Sequence, residues 1–412
     1  MKKTKLKDIC NISAGGTPSR SNINYWNNGD IPWCKIGDFS GKYINQVKEN
    51  ITEEGLKNSS AKIFKRGTIL YTIFATVGEV AILETESATN QAIAGLEIIN
   101  NEVDLEYLYY YLKSLKFVML KKSRGVAQNN INLGILKNIE IKIPSKIEQI
   151  NIAKILDNIE KIIHKKKKQL KELNTIIKSQ FVEMFKREKI NKKGWLETTV
   201  GEHIRLLTDF SANGSYKILD SKVIMYDEPN YAYMVRTIDL ENKEYKNKVK
   251  YITKETYEFL SKSKVYPNDI IMNKIGSAGK VYIMPDLGIP VTLGRNAFLI
   301  RFNDNILPIY IYYLLTSDYG KKQIQKSIRG AVTKTITKDD VRKIKISVPP
   351  ITLQNQFAEI VKQIDKQKFE SMIQLEKENK DSINNIIKGT IEETTILYEV
   401  LLKKCFEKGK MN

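Results

Sequence analysis

The chain repeats its own pattern at an interval of about 205 residues, and this duplication limits the folds open to it more than any other feature. An alternating apolar segment that ends in proline occurs at 141–144 and again at 346–349, and each copy is followed by a glutamine, Gln149 or Gln354. Further pairs keep the interval: Arg124 with Arg329, Ile131 with Ile336, Ala153 with Ala358, and Ile159 with Ile364. Because this repeat is far too long for a solenoid, we predict two copies of a whole domain.

The repeat continues toward the start of each copy with a slightly shorter interval. Three segments carry it: Ile36-Gly37-Asp38 with Thr237-Ile238-Asp239, Gly67-Thr68-Ile69-Leu70 with Asn268-Asp269-Ile270-Ile271, and Tyr107-Leu108 with Tyr310-Ile311. Collinear matches with small shifts are typical of an old duplication that has gained and lost loop residues. The alternative is chance similarity, since Lys and Ile are abundant throughout the chain.

Each copy begins with a domain that mixes strands and helices. Short apolar runs separated by Gly, Asn and Pro predict strands at 63–64, 68–74 and 80–83, with counterparts at 270–272 and 281–283. The Tyr- and Leu-rich segment 105–120 predicts a helix. We assign its tyrosines to the core rather than to a platform on which bases stack.

A long helix follows each domain. Pro144 ends the last strand of copy one, and Ser145 with Glu148 forms a capping box that satisfies the first backbone donors of a helix. Apolar residues then recur at spacings of three and four: Ile152, Leu156, Ile159, Ile163, Leu170, Leu173, Ile177 and Met184. This stripe predicts a partner helix, and the helix should be roughly 60 Å long. Copy two has a weaker stripe: Phe357, Ile360, Ile364, Ile383, Ile387, Leu397 and Leu401.

The predicted fold class is therefore α+β with two duplicated domains. We place the first domain at 1–145, a long spacer helix at 146–190, the second domain at 191–350 and a C-terminal long helix at 351–412. The two helices would pair as an antiparallel coiled coil, which would give the duplicated chain approximate two-fold symmetry.

The charge balance predicts a polyanionic partner. The chain carries 67 Lys and Arg against 47 Asp and Glu, a net charge of +20. This excess favours nucleic acid as the partner, with an anionic membrane surface as the second choice. The alternative is that the chain comes from a generally basic proteome and that its charge indicates no partner. Most of the excess lies outside the two long helices, so we expect the domains to carry the surface that binds DNA.

Several functions lack the residues they would need. Three cysteines far apart and two histidines, His164 and His203, leave almost nothing for a metal site or for nucleophilic catalysis. Gly276-Ser277-Ala278-Gly279-Lys280 lacks the first glycine and the hydroxyl residue of a phosphate loop. No catalytic or metal-binding residue is predicted. With neither a long apolar run nor a signal peptide evident, we expect a cytoplasmic protein.

Polar and basic residues on predicted loops are the candidates for DNA contact. Arginine matches guanine O6 and N7, Asn and Gln match adenine, and Lys, Ser and Thr more often bind phosphate. The candidates in copy one are Thr17, Ser19, Arg20, Asn90, Gln91, Arg124, Gln128, Asn129 and Asn130. Those in copy two are Arg236, Lys274, Ser277, Arg295, Asn296, Arg329, Thr333, Lys334 and Thr335. Because the scaffold positions match while these residues differ, we expect two different short sequences to be read.

The sequence resembles the specificity subunit of type I restriction–modification systems. The residues that carry the resemblance are Gly15-Gly16-Thr17-Pro18-Ser19, Tyr25-Trp26, Gly29-Asp30-Ile31-Pro32-Trp33, Ile36-Gly37-Asp38, Asn90-Gln91-Ala92, the Arg-Gly loops, and the junctions at Pro144 and Pro349-Pro350. The likeness covers nearly the whole chain in the family's order of domain, helix, domain and helix. Copy two departs from it, with Ser211-Ala212-Asn213-Gly214 in place of the Gly-Gly-Thr-Pro piece.

The resemblance implies a non-catalytic, DNA-binding subunit that serves DNA methylation and defence. The two domains would be target recognition domains that each read one half of a bipartite DNA site, and the helix pair would act as a spacer. The implied partners are double-stranded DNA and two modification (methyltransferase) subunits. The resemblance also allows restriction (translocase and nuclease) subunits to join them. No cofactor is expected in this chain, and S-adenosylmethionine is expected on the modification subunit.

Two other functions remain open from the residues. A methyltransferase–nuclease in its own right would need an Asn-Pro-Pro-Tyr or metal-carboxylate motif, and none is found. A basic coiled-coil scaffold would bind DNA in a salt-dependent way without reading sequence. The target bases and the spacer length are not encoded in any recognisable motif.

Overall fold

The computed structural model describes residues 2–116, 131–185, 195 and 197–387. Within them the chain forms two compact units, unit 1 (2–164 with 375–387) and unit 2 (165–374). Arg124, Gln128, Asn129 and Asn130 lie outside the described residues, as do the predicted stripe positions Leu397 and Leu401.

Unit 1 is built from three small sheets. Its strands are β1 (Lys2–Lys5), β2 (Cys10–Ala14), β3 (Ile31–Cys34), β4 (Tyr43–Ile44), β5 (Glu49–Ile51), β6 (Ile63–Phe64), β7 (Ile69–Thr72), β8 (Val80–Leu83), β9 (Ser87–Thr89), β10 (Ile93–Ile98) and β11 (Glu140–Ile143). The strand orders are β1-β11, β2-β10-β7-β8-β4 and β5-β3-β9-β6. All pairs are antiparallel except β3 with β9 and β4 with β8.

Short helices connect these strands. They are α1 (Leu6–Ile9), α2 (Glu53–Lys57), α3 (Leu105–Ser114) and α4 (Leu133–Lys137), and the long helix α5 (Lys146–Phe185) follows β11. Helix α3 contains the predicted tyrosine cluster, and Tyr107, Tyr109 and Tyr110 are buried in the core as expected. The capping box is present, because Glu148 Oε2 accepts hydrogen bonds from the backbone N–H and the hydroxyl of Ser145 at 2.9 and 2.7 Å.

Unit 2 repeats the strand order of unit 1. Its strands are β12 (Glu197–Thr199), β13 (Ile204–Asp209), β14 (Ala232–Val235), β15 (Lys250–Ile252), β16 (Lys264–Val265), β17 (Ile270–Asn273), β18 (Val281–Ile283), β19 (Val291–Leu293), β20 (Ala297–Phe302) and β21 (Lys345–Ser347). They pair in the orders β12-β21, β13-β20-β17-β18 and β15-β14-β19-β16, and β14 with β19 is again a parallel pair. Strand by strand this is the order of unit 1 without β4.

The helices of unit 2 follow the same plan. They are α6 (Val200–His203), α7 (Tyr216–Lys222), α8 (Thr237–Asn242), α9 (Lys254–Phe259), α10 (Pro308–Thr316), α11 (Asp318–Gln325), α12 (Lys338–Arg342) and the long α13 (Ile351–Ile387). Helix α10 corresponds to α3, and α12 corresponds to α4.

Hydrogen bonds confirm the duplication at the level of single atoms. Gln149 and Gln354 are both fully buried at the start of a long helix. Gln149 accepts from the N–H of Asp104 (2.8 Å) and donates to the carbonyls of Glu102 and Pro144 (2.8 and 3.0 Å). Gln354 makes the same three bonds, to Leu307, Asn305 and Pro349, at 2.8, 2.9 and 2.9 Å. Each glutamine therefore fixes the direction in which its helix leaves its domain.

The stripe on α5 is buried at Ile152, Leu156, Ile159, Ile163 and Ile177 and half-buried at Leu170, Leu173 and Met184. Ile152 and Leu156 pack into the main core of unit 1, and Ile177 lies in the main core of unit 2 together with two phenylalanines, Phe181 and Phe185. The first turns of α5 thus complete the core of unit 1 and its last turns complete the core of unit 2, in addition to pairing with the other long helix. This completion buries apolar area, which is the dominant favourable term in folding.

Unit 2 shows the antiparallel pairing of the two helices directly. Phe185, at the end of α5, packs on Phe357, near the start of α13, with ring centroids 5.6 Å apart. Earlier on α5, Lys166 Nζ lies 3.5 Å from Gln374 Oε1, further along α13. The two helices therefore run in opposite directions.

Candidate nucleic-acid interface

In unit 1 the Gly15-Gly16 loop lies directly on the backbone of a neighbouring loop. The N–H of Gly15 donates to Ile93 O at 3.1 Å, and that of Gly16 donates to Thr89 O at 2.8 Å. A Cβ at Gly15 would be 2.3 Å from Thr89 O, and one at Gly16 would be 2.3 Å from the carbonyl carbon of Ser60. Only glycine allows this approach, which brings Thr17 to Gln91 so that the hydroxyl donates to Gln91 Oε1.

Arg20 extends from the same loop over a pair of tryptophans. Its guanidinium carbon is 3.6 Å from the ring centroid of Trp26 and 5.0 Å from that of Trp33. The two indoles also hold the loop, because Trp26 Nε1 donates to Ser19 O (3.1 Å) and Trp33 Nε1 donates to Gly16 O (3.0 Å). This set of Arg20, Trp26, Trp33, Lys35 and Glu49 is called the Arg20 cluster below.

Glu49 carries two cations within the Arg20 cluster. Its carboxylate accepts from Lys35 Nζ through one oxygen and from Arg20 Nη2 through the other, the latter at 2.6 Å. The hydrogen bond from Lys35, followed by that from Arg20, holds the pKa of Glu49 below its ordinary value. The group is therefore a carboxylate at neutral pH, and it fixes where both cations lie.

Asn90 and Gln91 lie at the edge of the same loop pair. The N–H of Asn90 donates to Cys34 O at 3.2 Å, and its Oδ1 accepts from the N–H of Ala92 at 3.1 Å. The Asn90 oxygen thus holds a local turn in a half-buried residue, whereas Gln91 is exposed beside Thr17. The structure brings Thr17, Ser19, Arg20, Asn90 and Gln91 into one patch.

In unit 2 a three-residue ion group lies at the end of β13, the strand that corresponds to β2. Asp209, at the end of β13, accepts from Lys274 Nζ at 2.9 Å and from Lys338 Nζ at 3.1 Å. Burial alone would raise the pKa of Asp209, but the hydrogen bonds from the two lysines outweigh it and hold the pKa below its ordinary value. Two lysines on one carboxylate leave one net positive charge at this edge, which favours a phosphate neighbour.

Two candidate loops of unit 2 lie side by side. Arg329 and Thr335 exchange backbone hydrogen bonds at 2.9 and 2.8 Å, and the N–H of Gly276 donates to Lys334 O at 3.0 Å. This arrangement brings Lys274 and Ser277 next to the loop that carries Arg329, Thr333, Lys334 and Thr335. Arg329 donates to Asp340 Oδ1 at 2.7 Å, yet most of its side chain stays exposed.

Arg295, Asn296 and Arg236 complete the candidates of unit 2. Arg295 forms an ion pair with Asp220 while lying over Phe210, and Asn296 O accepts from the N–H of Lys274 at 2.8 Å. Arg236 is held within the protein, because it donates twice to Asp239 at 3.0 and 2.7 Å and once to Lys248 O at 2.6 Å. These bonds occupy the donor edges that a base would need, so Arg236 is placed to support the loop. Its role in DNA contact stays a prediction.

Sequence reasoning did not single out Lys35, Glu49, Asp209 or Lys338 as site residues. Glu49 lies 29 residues from Arg20, and Asp209 lies 65 and 129 residues from its two lysines. No local pattern signals such pairs. Arg236 and Asp239 are only three apart, and that spacing could have shown that this arginine was already engaged.

Across 2–116, 131–185, 195 and 197–387, no group of three or more His, Cys, Asp or Glu residues is arranged to hold a metal ion. In that same part of the chain, no helix is long and apolar enough to span a membrane.

Comparison with known proteins gives a consistent family. The family described as type I restriction modification DNA specificity domain matches residues 1–175 and again 204–385. The MjaIX specificity subunit, a type I restriction enzyme subunit of Methanocaldococcus jannaschii, is 29% identical over 396 residues, which cover 91% of this chain and 88% of the relative.

Two solved structures share the fold. The S subunit of a type I restriction–modification system from M. genitalium aligns with a TM-score of 0.50 at 18% identity, over 98% of this chain and 95% of that one. A chain from a study of complex assembly and conformational transition of the type I R-M system aligns with a TM-score of 0.53 at 14% identity, over 99% and 97%. At these identities the likeness shows a common fold.

Proposed function

Because the chain belongs to the type I restriction modification DNA specificity domain family, we propose that it is the DNA sequence-specificity subunit of a type I restriction–modification complex. Unit 1 and unit 2 each read one half of a bipartite, asymmetric DNA site. One observation carries this proposal: the two units share a strand order but present different side chains at matched positions, such as Glu49 against Lys250 and Ile73 against Lys274. A scaffold that binds DNA without reading sequence finds no support among the relatives, which are specificity subunits by name.

The difference between the two edges supports an asymmetric site. Unit 1 presents an arginine stacked on tryptophan together with Thr17 and Gln91, groups that suit base edges. Unit 2 presents Lys274 and Lys338 around one carboxylate, beside the exposed loop of Arg329. Surfaces with different donors select different base sequences, so the halves should differ.

The long helices supply the spacer in this proposal. Helix α5 has 40 residues and is ~60 Å long at 1.5 Å per residue. The buried Gln149 and Gln354 fix each helix to its own domain through three hydrogen bonds, so the helix direction follows the domain. In this proposal the paired helices set the number of unread base pairs, and the half-site centres lie about one DNA turn (roughly 34–36 Å) apart.

The chain itself would perform no catalysis. Two modification subunits would dock on the helices and carry S-adenosylmethionine for adenine methylation, and restriction subunits would add DNA translocation and cleavage where the system has them. The whole complex would act in the cytoplasm. Two observations support catalysis by partner subunits: the family of this chain and the lack of a recognisable catalytic motif in its sequence.

Methylation mapping tests the proposal most directly. A genome is sequenced for methylated adenine in cells that express this chain together with its modification subunit, and a catalytically dead modification subunit serves as the control. We expect one bipartite motif with a fixed number of unspecified bases between its halves. Methylation without a motif, or methylation of DNA by this chain alone, would overturn the proposal.

Two changes to the chain separate its parts. Replacing residues 191–350 with the corresponding domain of another specificity subunit should change one half-site and leave the other and the spacer unchanged. Inserting one heptad into α5 and one at the facing position of α13 should change the spacer and neither half-site. A change in both half-sites after the domain exchange would show that the units do not read independently.

A further inference from the structure

We propose that Arg20 reads a guanine in the half-site bound by unit 1, and that Glu49 is the positioning residue that orients it. This inference rests on the proposed function, because it names a base within one half-site. It is carried by the juxtaposition of a stacked guanidinium, a bound carboxylate and a free donor edge at the loop patch of unit 1.

The guanidinium is fixed on two sides and open on a third. Its central carbon lies over the Trp26 ring, 3.6 Å from the ring centroid, and Nη2 donates to Glu49 at 2.6 Å. The side chain remains 53% exposed, and the described structure gives Nε and Nη1 no hydrogen-bond acceptor. A guanidinium has five N–H donors, so a donor edge remains for the O6 and N7 acceptors of guanine.

Glu49 fixes the direction of the donor edge that Arg20 leaves open. Its carboxylate binds both Arg20 and Lys35, and those hydrogen bonds keep it ionised at neutral pH. Two cations share this one carboxylate, so the Arg20 cluster keeps one net positive charge and charge alone does not distinguish a base from a phosphate. The geometry favours a base, because a donor edge held in one direction matches the paired O6 and N7 acceptors of guanine.

Stacking on tryptophan further restricts the arginine. A long side chain ordinarily loses rotamer freedom when it binds a base, which lowers affinity. Here the Trp26 face and the Glu49 oxygen already hold the guanidinium, and Trp26 and Trp33 hold the loop through Ser19 O and Gly16 O. Much of that freedom is therefore lost before DNA arrives.

Unit 2 lacks this device at the matching place, which makes it specific to one half-site. Trp33 lies opposite Glu49 across β3 and β5, and the equivalent pair across β14 and β15 is Met234 with Lys250. The sign of the charge is reversed there, and Lys250 binds Asp227 at 2.7 Å. The arginine clamp is an addition of unit 1 to the shared scaffold.

The test maps methylation by the complete complex with its modification subunits. The variants are Arg20→Ala, Arg20→Lys and Glu49→Gln, and Arg66→Ala is the matched control. Arg66 is an exposed arginine of the same unit that follows β6, at the opposite edge of the sheet from β5. The readout is the methylated fraction for each base at each position of both half-sites, in the variants and in the unsubstituted complex.

We expect a guanine in the unit 1 half-site whose preference over other bases falls about tenfold or more in Arg20→Ala. Arg20→Lys should lose most of that preference, since lysine cannot make the bidentate contact, and Glu49→Gln should lose part of it. The second half-site should not change, which shows that each variant complex is folded and assembled. Arg66→Ala should keep the original motif at every position.

An even fall in methylation with an unchanged motif would assign Arg20 to a phosphate and overturn the inference. Relaxation at a position that is not guanine, or an unchanged base preference in Glu49→Gln, would overturn the assigned base or the assigned role of Glu49. In both cases a bipartite motif would still stand, so the proposed function would survive. If the unsubstituted complex shows no bipartite motif, the proposed function itself fails.

Discussion

Unit 1 places Ala14, Ile73 and Leu133 where unit 2 places Asp209, Lys274 and Lys338. The equivalence is given by the backbone. The N–H of Ile131 donates to Ile73 O at 2.9 Å, and the N–H of Ile336 donates to Lys274 O at 3.0 Å. The first helical residue is Leu133 in α4 and Lys338 in α12. An apolar contact and an ion group thus occupy the same point of one fold.

The comparison shows which interactions define the fold and which can vary. Apart from the extra strand β4 of unit 1, both units have the same strand order, and each buried glutamine makes the same three hydrogen bonds at the exit of its long helix. Side chains at the edge that faces the loops differ between the units, and unit 1 has apolar residues where unit 2 has charged ones. A recognition protein gains from this division, because new sequences can be read without redesigning the scaffold.

The junctions with the long helices differ in the same way. In unit 1 the carboxylate of Asp157 on α5 accepts from Lys42 Nζ at 2.6 Å and from the Tyr110 hydroxyl at 2.5 Å. In unit 2 the corresponding region is aromatic, with Phe181 and Phe185 packed around Phe357. The first junction adds charge and hydrogen bonding to the apolar burial of Ile152 and Leu156, whereas the second packs aromatic rings.

The largest effect should come from placing the unit 2 chemistry in unit 1. Ile73 is 2% exposed, so Ile73→Lys would bury an ammonium without a partner and cost about 3–5 kcal/mol of the free energy of unfolding. Adding Ala14→Asp should recover part of that loss, because Asp209 and Lys274 pair at the same place in unit 2. Hydrogen exchange of the β7 and β10 peptides in the full chain measures both. No recovery in the double variant would mean that the two edges differ in backbone as well as side chains.

Removing the carboxylate of unit 2 should have the next largest effect. Asp209→Ala leaves Lys274 and Lys338 without their shared anion and should cost about 2–3 kcal/mol. The cost is below that of a fully buried pair because the side chain of Lys338 is 34% exposed. Asp339→Ala is the control, since Asp339 pairs with Arg342 in an exposed salt bridge that should contribute less than about 1 kcal/mol. Hydrogen exchange of the β13 and β17 peptides gives the values.

The shared glutamines should give equal and smaller effects. Gln149→Ala and Gln354→Ala each remove three hydrogen bonds and leave buried backbone groups unpaired, at about 2 kcal/mol each. Exchange of the first turns of α5 and of α13 reports each one separately. Losses that differ by more than about 1 kcal/mol would show that the units depend differently on this bond set, despite its identical geometry.

The smallest expected difference between the two units is in how their stability depends on pH. A carboxyl whose pKa is lowered on folding stabilises the protein above its unfolded pKa, and this contribution is lost as the pH falls through the folded pKa. The pKa of Asp209 is lowered by its lysines, so unit 2 should lose stability below about pH 4 at this edge. Asp209→Asn should flatten that dependence in exchange measured from pH 6 to pH 3. An unchanged slope in Asp209→Asn would assign the acid sensitivity to other carboxylates.

The hydrophobic periodicity of the sequence predicted the repeated architecture because periodicity is a local property of the chain. The strand at 80–83, the capping box of Ser145 and Glu148 and the apolar stripe from Ile152 to Met184 all depend on neighbours within a few residues. The strand expected at 68–74 is shorter in the structure, at Ile69–Thr72. There Ile73 leaves the sheet to accept from the N–H of Ile131, a partner that no local pattern could indicate.

The sequence by itself determined that one α+β unit followed by a long helix is written twice, and that the loops of the copies differ. It did so because duplication, capping and spacing are read along the chain. The tertiary structure alone decided that Arg20 stands on Trp26 beside Glu49, that Asp209 gathers two lysines, and that Arg236 is already engaged. Long-range pairs of this kind depend on where the folded backbone brings distant residues together, and the free energy of a charge depends on those neighbours more than on its own sequence context.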